Sequence, residues 1–312
     1  MQECKKAVIP MNPGAGYGPK TELEDCLDKR KFDYNSLIGS MMYPSTTCRL
    51  DICTAVSLWA RNLHNPTRRH WNGGLHILRY LKHTPDLGLL FIRKSVNIPF
   101  QLNIYSDAAE PDKLNSKCQT GISVFLGNSC ISYRSVKQTQ TSIEMSIGEQ
   151  YALFDATLDG LAIAKVIKEL EIEIEIPTAF TDNNLLLQRI GTGQITRKNA
   201  WLDRRYNLMR EKYLQNEMQY RRVDSNENPA DMNTKPKSLV QFIKLRRLHN
   251  MVFKRELQQG VVEFDVDAHD GIKQWLIYNN THALGTKNTC WNRPCWTQIS
   301  HYLVPSQAKA IH

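Results

Sequence analysis

The sequence predicts an α/β fold in which a mixed sheet, flanked by helices, follows a small helical segment. The first observation is a row of β-like segments, two of which a tight turn joins, and the second is the alternation of helical and strand patterns after it. The third is the composition. Of the 312 residues, 41% are hydrophobic, which is enough for a packed core and argues against extensive disorder.

The first third of the chain is predicted to be a linker followed by helices. Residues 1–30 are punctuated by Pro and Gly and show no periodic apolar pattern, which is typical of a linker. Over residues 31–95 apolar side chains recur at spacings of three and four, which predicts a helical connection. We expect Asp51 and Asn65 to cap two of its helices.

Residues 96–250 carry the pattern of the sheet. The predicted elements are, in chain order, strands over 101–107, 119–126 and 129–135, a helix over 146–171, a strand that ends at Asp182, a short helix, a helical stretch over 199–216, a strand over 218–223 and a helix over 237–249. A segment at 88–94 also has a strand pattern. The tail at 251–312 is unassigned apart from two short β-like runs, and we expect its removal to leave the fold intact.

The charge balance favours a polyanionic partner. Lys and Arg number 40 against 31 Asp and Glu, a formal charge of +9, and a basic chain of this kind suits nucleic acid. No apolar run approaches the ~18 residues that span a bilayer. The start MQECKK lacks the apolar stretch of a signal peptide. We therefore expect neither a membrane protein nor a secreted one.

The eight cysteines are predicted to be free thiols, because they are spread along the chain without the dense spacing of a disulfide framework. Cys290 and Cys295, together with His301, form a loose metal-like pattern. Four residues separate the two cysteines, so a structural role is favoured over a zinc site.

Three aspartates lie at predicted strand ends or at a predicted helix start, which are positions that catalytic residues often occupy. Asp107 ends a strand in IYSDAAE, Asp182 ends a later one in AFTDNN, and Asp231 lies at a predicted helix start in NPADMNTKP. Ligand crevices of α/β sheets lie at the carboxyl ends of strands, so the three can converge. Clustered carboxylates repel one another unless cations bind, and their oxygens suit Mg²⁺ or Mn²⁺. A lone aspartate more often ends a strand or caps a helix, so it is the set that carries this prediction.

At these residues the sequence resembles the C-terminal part of the polyprotein of copia-type LTR retrotransposons. The motifs are, in the family's order, YNSLIGSMMY, the stretch from RLDICTAVSLW to DLGLLF, IYSDAAE, GISVFLGNSCISYRSVKQ, FTDNN, YNLMREK and PADMNTKP, roughly residues 30–250. They are similar to the connection that follows the polymerase core and to the RNase H domain. Since no polymerase Y-x-D-D motif occurs, we expect a truncated and degenerate fragment.

The resemblance implies an RNase H-like sheet of five strands. The family cleaves the RNA strand of RNA–DNA hybrids with four acidic residues and two divalent cations, Mg²⁺ or Mn²⁺. Asp107, Asp182 and Asp231 match the first, third and fourth acids and would be metal ligands. The resemblance further implies nucleic acid, as RNA–DNA hybrid or duplex, and other parts of such a polyprotein as partners, in the cytoplasm or nucleus.

The family's second acid is missing from its expected position. Alignment without gaps places Ile147 there. Glu149 falls two residues further on, about 200° around the helix, so we expect it to face elsewhere. Glu144, a turn earlier, is the other candidate substitute. Ala109 departs from the Asp that usually follows the first catalytic acid, and weakened cleavage is the expectation.

Basic residues are the candidates for phosphate contacts. The candidate nucleic-acid-binding residues are Arg68, Arg69, Arg197, Lys198, Arg204 and Arg205. A solvated helix face is the alternative interpretation of the first pair. Three functions stay open, namely an RNase H-type nuclease with a substitute acid, a non-catalytic nucleic-acid-binding module, and an element remnant without function.

Overall fold

The computed structural model describes residues 4–91, 99–109, 117–142, 144–193, 203–258, 264–265 and 275–276. Its amino-terminal part is helical. The elements are α1 (Tyr34–Thr47), a 3-10 turn (Leu50–Ile52), α2 (Cys53–Ala60), α3 (Arg68–His83) and a short strand, β1 (Leu87–Leu89). Residues 4–30, within the predicted linker, form no helix or strand. Their buried side chains nevertheless join the core of the helices, and these are Ala7, Ile9, Met11 and Leu27.

Five strands form one mixed sheet. They are β2 (Leu102–Ala109), β3 (Gln119–Leu126), β4 (Ser129–Lys137), β5 (Thr178–Thr181) and β6 (Gln219–Arg222). Their spatial order is β4-β3-β2-β5-β6. β3 runs antiparallel to both β2 and β4, whereas β5 is parallel to both β2 and β6. This order confirms the predicted α/β class and its RNase H-like mixed sheet.

Helices fill the longer connections. They are α4 (Met145–Glu169) before β5, α5 (Asn184–Thr192) and α6 (Asp203–Leu214) between β5 and β6, and α7 (Leu239–Leu248) after a 3-10 turn at Pro229–Asn233. The chain continues in β7 (Met251–Phe253), α8 (Lys254–Gln258) and the paired strands β8 (Phe264–Asp265) and β9 (Trp275–Leu276). The last two strands lie in the two β-like runs of the tail.

The two faces of the sheet are covered by different parts of the chain. On one face Leu102 of β2 clusters with Leu153 of α4. On the other face Tyr105 and Phe125 belong to the same apolar cluster as the buried side chains of α1, α2 and α3. Because successive strand residues point to opposite faces, β2 is buried along almost its whole length.

Hydrogen bonds fasten the helical segment to the sheet. The Thr54 hydroxyl donates to the carbonyl oxygen of Met232 at 2.7 Å, and Gln119 Nε2 donates to Ser57 Oγ at 3.0 Å. The described part of the helical segment, residues 31–91, therefore packs on the sheet and the turn beside it, and does not merely precede them.

Both predicted caps of the helical segment differ from the structure. Asp51 does not cap α2, because its carboxylate accepts hydrogen bonds from Arg49 Nη2 at 2.8 Å and from the Tyr80 hydroxyl at 2.7 Å in the interior. Asn65 lies too early, since α3 begins after Thr67, whose side chain makes a reciprocal capping box with His70. Asp51 instead forms an ion pair with the buried guanidinium of Arg49. A buried charge without a partner would be strongly destabilising.

Strand β7 joins the start of the predicted tail to the core. It pairs antiparallel with β1, and Met251, Val252 and Phe253 are buried. The start of the tail therefore contributes buried side chains to the core, so we no longer expect its removal to be neutral. We expect removal of residues 251–312 to lower the thermal midpoint by roughly 10 °C relative to removal of residues 259–312, because each buried apolar side chain contributes ~2 kcal/mol. Calorimetry of the two truncated chains checks this, and equal midpoints would contradict it.

Candidate active site

Asp107 lies on the central strand of the sheet. It does not end the strand as predicted, since β2 continues for two more residues. Its Oδ2 accepts a hydrogen bond from Thr234 Oγ1 at 3.0 Å. Its partner in register on β3 is Gly121, where an added Cβ would lie 2.5 Å from the carbonyl oxygen of Ala230. Glycine at this position lets the 3-10 turn at 229–233 approach Asp107 closely.

Asp231 lies in that turn, which two asparagines fasten to the sheet. Asn228 Nδ2 donates to the carbonyl oxygen of Ser106 at 2.9 Å, and Asn233 Nδ2 donates to that of Ile122 at 3.0 Å. The turn is therefore attached to β2 at one end and to β3 at the other, which holds Asp231 beside these two strands.

Asp182 comes from the neighbouring parallel strand. Tyr105 of β2 pairs with Phe180 of β5, so Asp107 and Asp182 lie two residues further along adjacent strands. The Ser225 hydroxyl donates to Asp182 Oδ2 at 2.7 Å. The other oxygen, Oδ1, is buried and accepts no hydrogen bond from the described residues.

Asp231 and Asp182 lie close enough to Asp107 to change its pKa. Burial, followed by the charges of Asp231 and Asp182, raises the pKa of Asp107 to about 8. The hydrogen bond from Thr234 and the charge of Lys237 act in the opposite direction. The structure thus brings the three predicted aspartates together at one edge of the sheet.

Glu149 also reaches this edge, contrary to the direction expected for it. Its carboxylate accepts a hydrogen bond at 2.6 Å from Asn183 Nδ2, the residue directly after Asp182. Burial raises the pKa of Glu149, the bond from Asn183 lowers it, and the charge of Asp182 raises it further. Glu144, the other candidate substitute, is exposed in front of α4.

The direction of Glu149 follows from the face of α4 that meets the sheet. Ala152 and Leu153, three and four residues after Glu149, are fully buried in the clusters that α4 forms with the strands. Ile147 is buried on another face, against Tyr151. The ~200° between Ile147 and Glu149 therefore turns Glu149, and not Ile147, towards the aspartates.

The acidic side chains at this site are of the chemical type that binds hard divalent cations. All four acids, Asp107, Asp182, Asp231 and Glu149, offer carboxylate oxygens, and the partnerless buried Oδ1 of Asp182 fits a ligand role. In the described part of the chain, however, no three acidic, His or Cys side chains converge into a compact metal-holding group. Asp231 is also held by the Lys237 ammonium in an ion pair, and burial lowers the pKa of that lysine.

Two of the predicted phosphate-binding residues are already engaged within the helical segment. Arg69 forms an ion pair with Glu24 at 2.8 Å. The Arg68 guanidinium lies 4.5 Å from the ring centroid of Phe32. Both contacts fasten α3 to the preceding chain.

The remaining predicted basic residues belong to the stretch around α6. Arg204 is exposed. The Arg205 guanidinium lies 4.2 Å from the ring centroid of Tyr151 and donates to Gln140 Oε1 at 2.9 Å. Arg197 and Lys198 lie outside the described residues.

Sequence reasoning missed the polar residues that hold the acids, namely Asn183, Ser225, Thr234 and Lys237. The signal for three of them is proximity along the chain. Asn183 follows Asp182, and Thr234 and Lys237 lie within six residues of Asp231. Ser225 lies in a loop and reaches Asp182 from 43 residues away, which no local pattern indicates.

Other predicted features bear less directly on the site. The described cysteines are free thiols, and they are Cys4, Cys26, Cys48, Cys53, Cys118 and Cys130. The loose pattern of Cys290, Cys295 and His301 lies outside the described residues. Among the helices that the structure describes, none has both the length and the apolar character of a membrane span.

Solved structures that match part of this chain include ribonucleases H. LC11-RNase H1, isolated from compost by a metagenomic approach, has a TM-score of 0.35 and 13% identity over 43% of this chain and 92% of its own. The same protein in complex with an RNA/DNA hybrid has a TM-score of 0.34 and 11% identity, over 43% of this chain and 94% of its own. RNase H1 from Halobacterium salinarum NRC-1 has a TM-score of 0.31 and 14% identity, over 43% of this chain and 94% of its own.

Sequence relatives include retrotransposon polyproteins and shorter proteins, while no protein-family model matches the chain. The chain is 28% identical over 216 residues to the retrovirus-related Pol polyprotein from transposon TNT 1-94 of Nicotiana tabacum, covering 69% of this chain and 16% of the polyprotein. The chain is also 28% identical over 214 residues to the retrovirus-related Pol polyprotein from transposon RE2 of Arabidopsis thaliana. This match covers 67% of this chain and 14% of the polyprotein. The chain therefore spans 14 to 16% of the length of these polyproteins.

One shorter relative is matched over most of its own length. Secreted RxLR effector protein 161 of Plasmopara viticola is 32% identical over 129 residues, which are 41% of this chain and 89% of that protein. The chain carries an RNase H-like domain and belongs to one sequence family with that protein and with the matching part of the copia-type retrotransposon Pol polyproteins.

Proposed function

We propose that the chain is an RNase H-type nuclease that hydrolyses the RNA strand of RNA–DNA hybrids with Mg²⁺ or Mn²⁺ as cofactor. The observation that carries the proposal is the placement of Asp107 on β2 and Asp182 directly after the adjacent parallel strand β5, with Asp231 close enough to act on Asp107 and Glu149 bonded to the residue after Asp182. The resemblance of the surrounding motifs to the copia-type RNase H domain supports the choice of substrate. Such a substrate places the activity in the cytoplasm or nucleus, and not outside the cell.

In this proposal the carboxylates act as oxygen ligands. Asp107 and Asp182 stand on adjacent parallel strands, and Glu149 adds a third oxygen donor from α4. Divalent cations held by these residues would supply an activated water and would neutralise developing charge at the scissile phosphate. Thr234 and Asn183 are positioning residues, because each donates a hydrogen bond that orients one of these carboxylates.

Phosphates of the hybrid would be bound by basic residues of the stretch around α6. The proposed contacts are Arg197, Lys198 and Arg204. Arg205, the fourth predicted residue, is already engaged by Gln140 and Tyr151. The formal charge of +9 supports such binding, since each phosphate that a cationic side chain neutralises releases counterions. We assign Arg68 and Arg69 to the stability of the helical segment, because Phe32 and Glu24 already engage them.

A module that binds hybrids without cleaving them is the second candidate. The ion pair between Lys237 and Asp231 favours it, because the ammonium occupies an oxygen that a divalent cation would need. Binding of the phosphate backbone depends on Lys and Arg and does not require the carboxylates.

Cleavage of a hybrid with a labelled RNA strand separates these functions. The full chain and its Asp107→Asn variant are incubated with Mg²⁺ or Mn²⁺, and hybrid binding is followed in parallel by fluorescence anisotropy. We expect cation-dependent cleavage by the wild-type chain and a loss of about 100-fold in the variant, equivalent to ~3 kcal/mol. Binding should remain, because Asp107 lies among other carboxylates and is not part of the basic surface.

Each other outcome has a definite meaning. Cleavage that persists in Asp107→Asn would contradict the assigned site. Binding without cleavage by the folded wild-type chain would establish the second candidate. Neither binding nor cleavage would favour the element remnant.

A further inference from the structure

A cation from the chain itself already sits in the acidic site. Lys237 Nζ forms an ion pair with Asp231 Oδ1, and only 4% of the Lys237 side chain is exposed, against 25% for Asp231. Lys235 Nζ lies 4.0 Å from the same oxygen, but 53% of its side chain is exposed. Of the two lysines beside Asp231, one is therefore held in the interior and the other extends into solvent.

The chain around Lys237 is anchored on both sides. The Thr234 hydroxyl, three residues before it, lies within hydrogen-bond distance of both Asp107 Oδ2 and the carbonyl oxygen of Asp231, so its one proton is shared between them. Ser238, directly after it, caps α7 by accepting a hydrogen bond from the backbone of Gln241. The ammonium is therefore delivered by a short segment with fixed ends and does not depend on the conformation of a long loop.

Burial keeps the Lys237 ammonium beside its carboxylate partner. Moving an ammonium out of water is costly unless an anion pairs with it, so Lys237 stays with its carboxylate partner. A divalent cation on the same oxygen would meet a positive charge within ion-pair distance, in surroundings that screen charge less than water does. Asp231 is for this reason a poor ligand for a second cation as long as Lys237 is present.

We infer that Lys237 takes the place of one divalent cation, so that the site binds a single tight Mg²⁺ or Mn²⁺ on the side of Asp107, Asp182 and Glu149. The inference rests on the proposed function for the kind of cation. It departs from the two cations that the family resemblance implies. Lys237 is in this view a positioning residue that neutralises Asp231 and sets how many cations the site holds.

Counting bound Mn²⁺ tests the inference. Free Mn²⁺ is measured by electron paramagnetic resonance in titrations of the full wild-type chain and of Lys237→Met, Lys237→Arg and Lys235→Met. Methionine keeps the apolar stem of Lys237 and removes the charge, whereas arginine keeps the charge. Lys235→Met is the matched control, because it removes an exposed charge beside the same carboxylate oxygen.

We expect one tight Mn²⁺ per wild-type chain and per Lys237→Arg chain. Lys237→Met should bind a second ion, or bind Mn²⁺ at least about tenfold more tightly, because the repelling charge is gone. Lys235→Met should change the affinity by less than about threefold, since exposed charges are well screened.

Equal stoichiometry and affinity in wild type and Lys237→Met, with both folded by thermal unfolding, would overturn the inference. Two tight ions in the wild-type chain would overturn it too, whether or not the Lys237→Met variant folds. That result would leave the proposed nuclease standing. Absence of any tight Mn²⁺ would overturn both the inference and the proposed cofactor. Hybrid cleavage, measured on the same preparation, reports on the nuclease separately.

Discussion

Replacing Glu149 by Gln is expected to reduce cleavage of an RNA–DNA hybrid by about 100-fold, equivalent to ~3 kcal/mol of lost charge stabilisation. Glu149 Oε2 accepts a hydrogen bond from Asn183 Nδ2 at 2.6 Å. Glutamine keeps an acceptor oxygen for this bond and removes only the charge beside Asp182. Initial rates at saturating Mn²⁺ give the comparison, with unfolding midpoints as the check that the variant is folded.

Glu144→Gln is the matched control for this prediction. It is the same chemical change at the same end of α4, but Glu144 is exposed, so we expect the rate to stay within about twofold of wild type. A large loss at Glu144 together with no loss at Glu149 would show that the wrong glutamate has been assigned.

Introducing glutamate at Ile147 provides the opposite test. Ile147 is 7% exposed and packs against Tyr151, so a carboxylate there would be buried without a partner. We expect Ile147→Glu to lower stability by ~3 kcal/mol and to bring no gain in cleavage. A rise in activity would mean that the alignment without gaps, and not the observed face of α4, identifies the position of the second acid.

Replacing Asp107 by Asn is expected to stabilise the fold when no divalent cation is present. Burial and the charges of Asp231 and Asp182 raise the pKa of Asp107 to about 8, whereas an aspartate in an unfolded chain ionises near ~3.9. Between these values the folded chain holds a proton that the unfolded chain has released. This contribution to stability is therefore complete below the unfolded pKa and is lost as pH rises through the folded pKa.

The variant should escape this loss, because asparagine does not ionise. In a chelator, the free energy of unfolding of the wild-type chain should fall relative to Asp107→Asn between about pH 5 and about pH 8, by up to ~1.4 kcal/mol per pH unit. Added Mn²⁺ should raise the thermal midpoint of the wild-type chain at about pH 8 and leave that of the variant unchanged. Calorimetry across this pH range measures both effects.

Asp25→Asn serves as the control for the pH dependence, since Asp25 is an exposed aspartate far from the sheet in sequence. The free energy of unfolding of Asp25→Asn should depend on pH in the same way as that of the wild-type chain. A stability gap between wild type and Asp107→Asn that narrows as pH rises would show that Asp107 is not held among like charges.

The sheet is predictable because its local and global signals agree. β3 has the predicted bounds, and the hairpin to β4 turns at Gly127, whose φ of 57° lies in the left-handed region that favours glycine. The three aspartates are predictable for a similar reason, since the order of strand and helix patterns already places two of them near the carboxyl ends of neighbouring parallel strands.

The direction of Glu149 is not predictable from a motif alignment alone. A shift of two residues reverses the face of a helix, and only the packing of Ala152 and Leu153 on the strands fixes which face meets the sheet. The contact of Thr54 with Met232 joins residues 178 positions apart and has no local signal. The ion pair of Lys237 likewise depends on how the 3-10 turn returns over the sheet.

The location of a bound Mn²⁺ is the most direct test of the claim that these carboxylates form one cation site. Crystals of the chain soaked in Mn²⁺ and measured at the manganese absorption edge reveal the ion by its anomalous scattering. We predict a peak contacted by Asp107 and Asp182 that disappears in crystals of Asp107→Asn. A peak elsewhere on the chain, or none at saturating Mn²⁺, would contradict the claim.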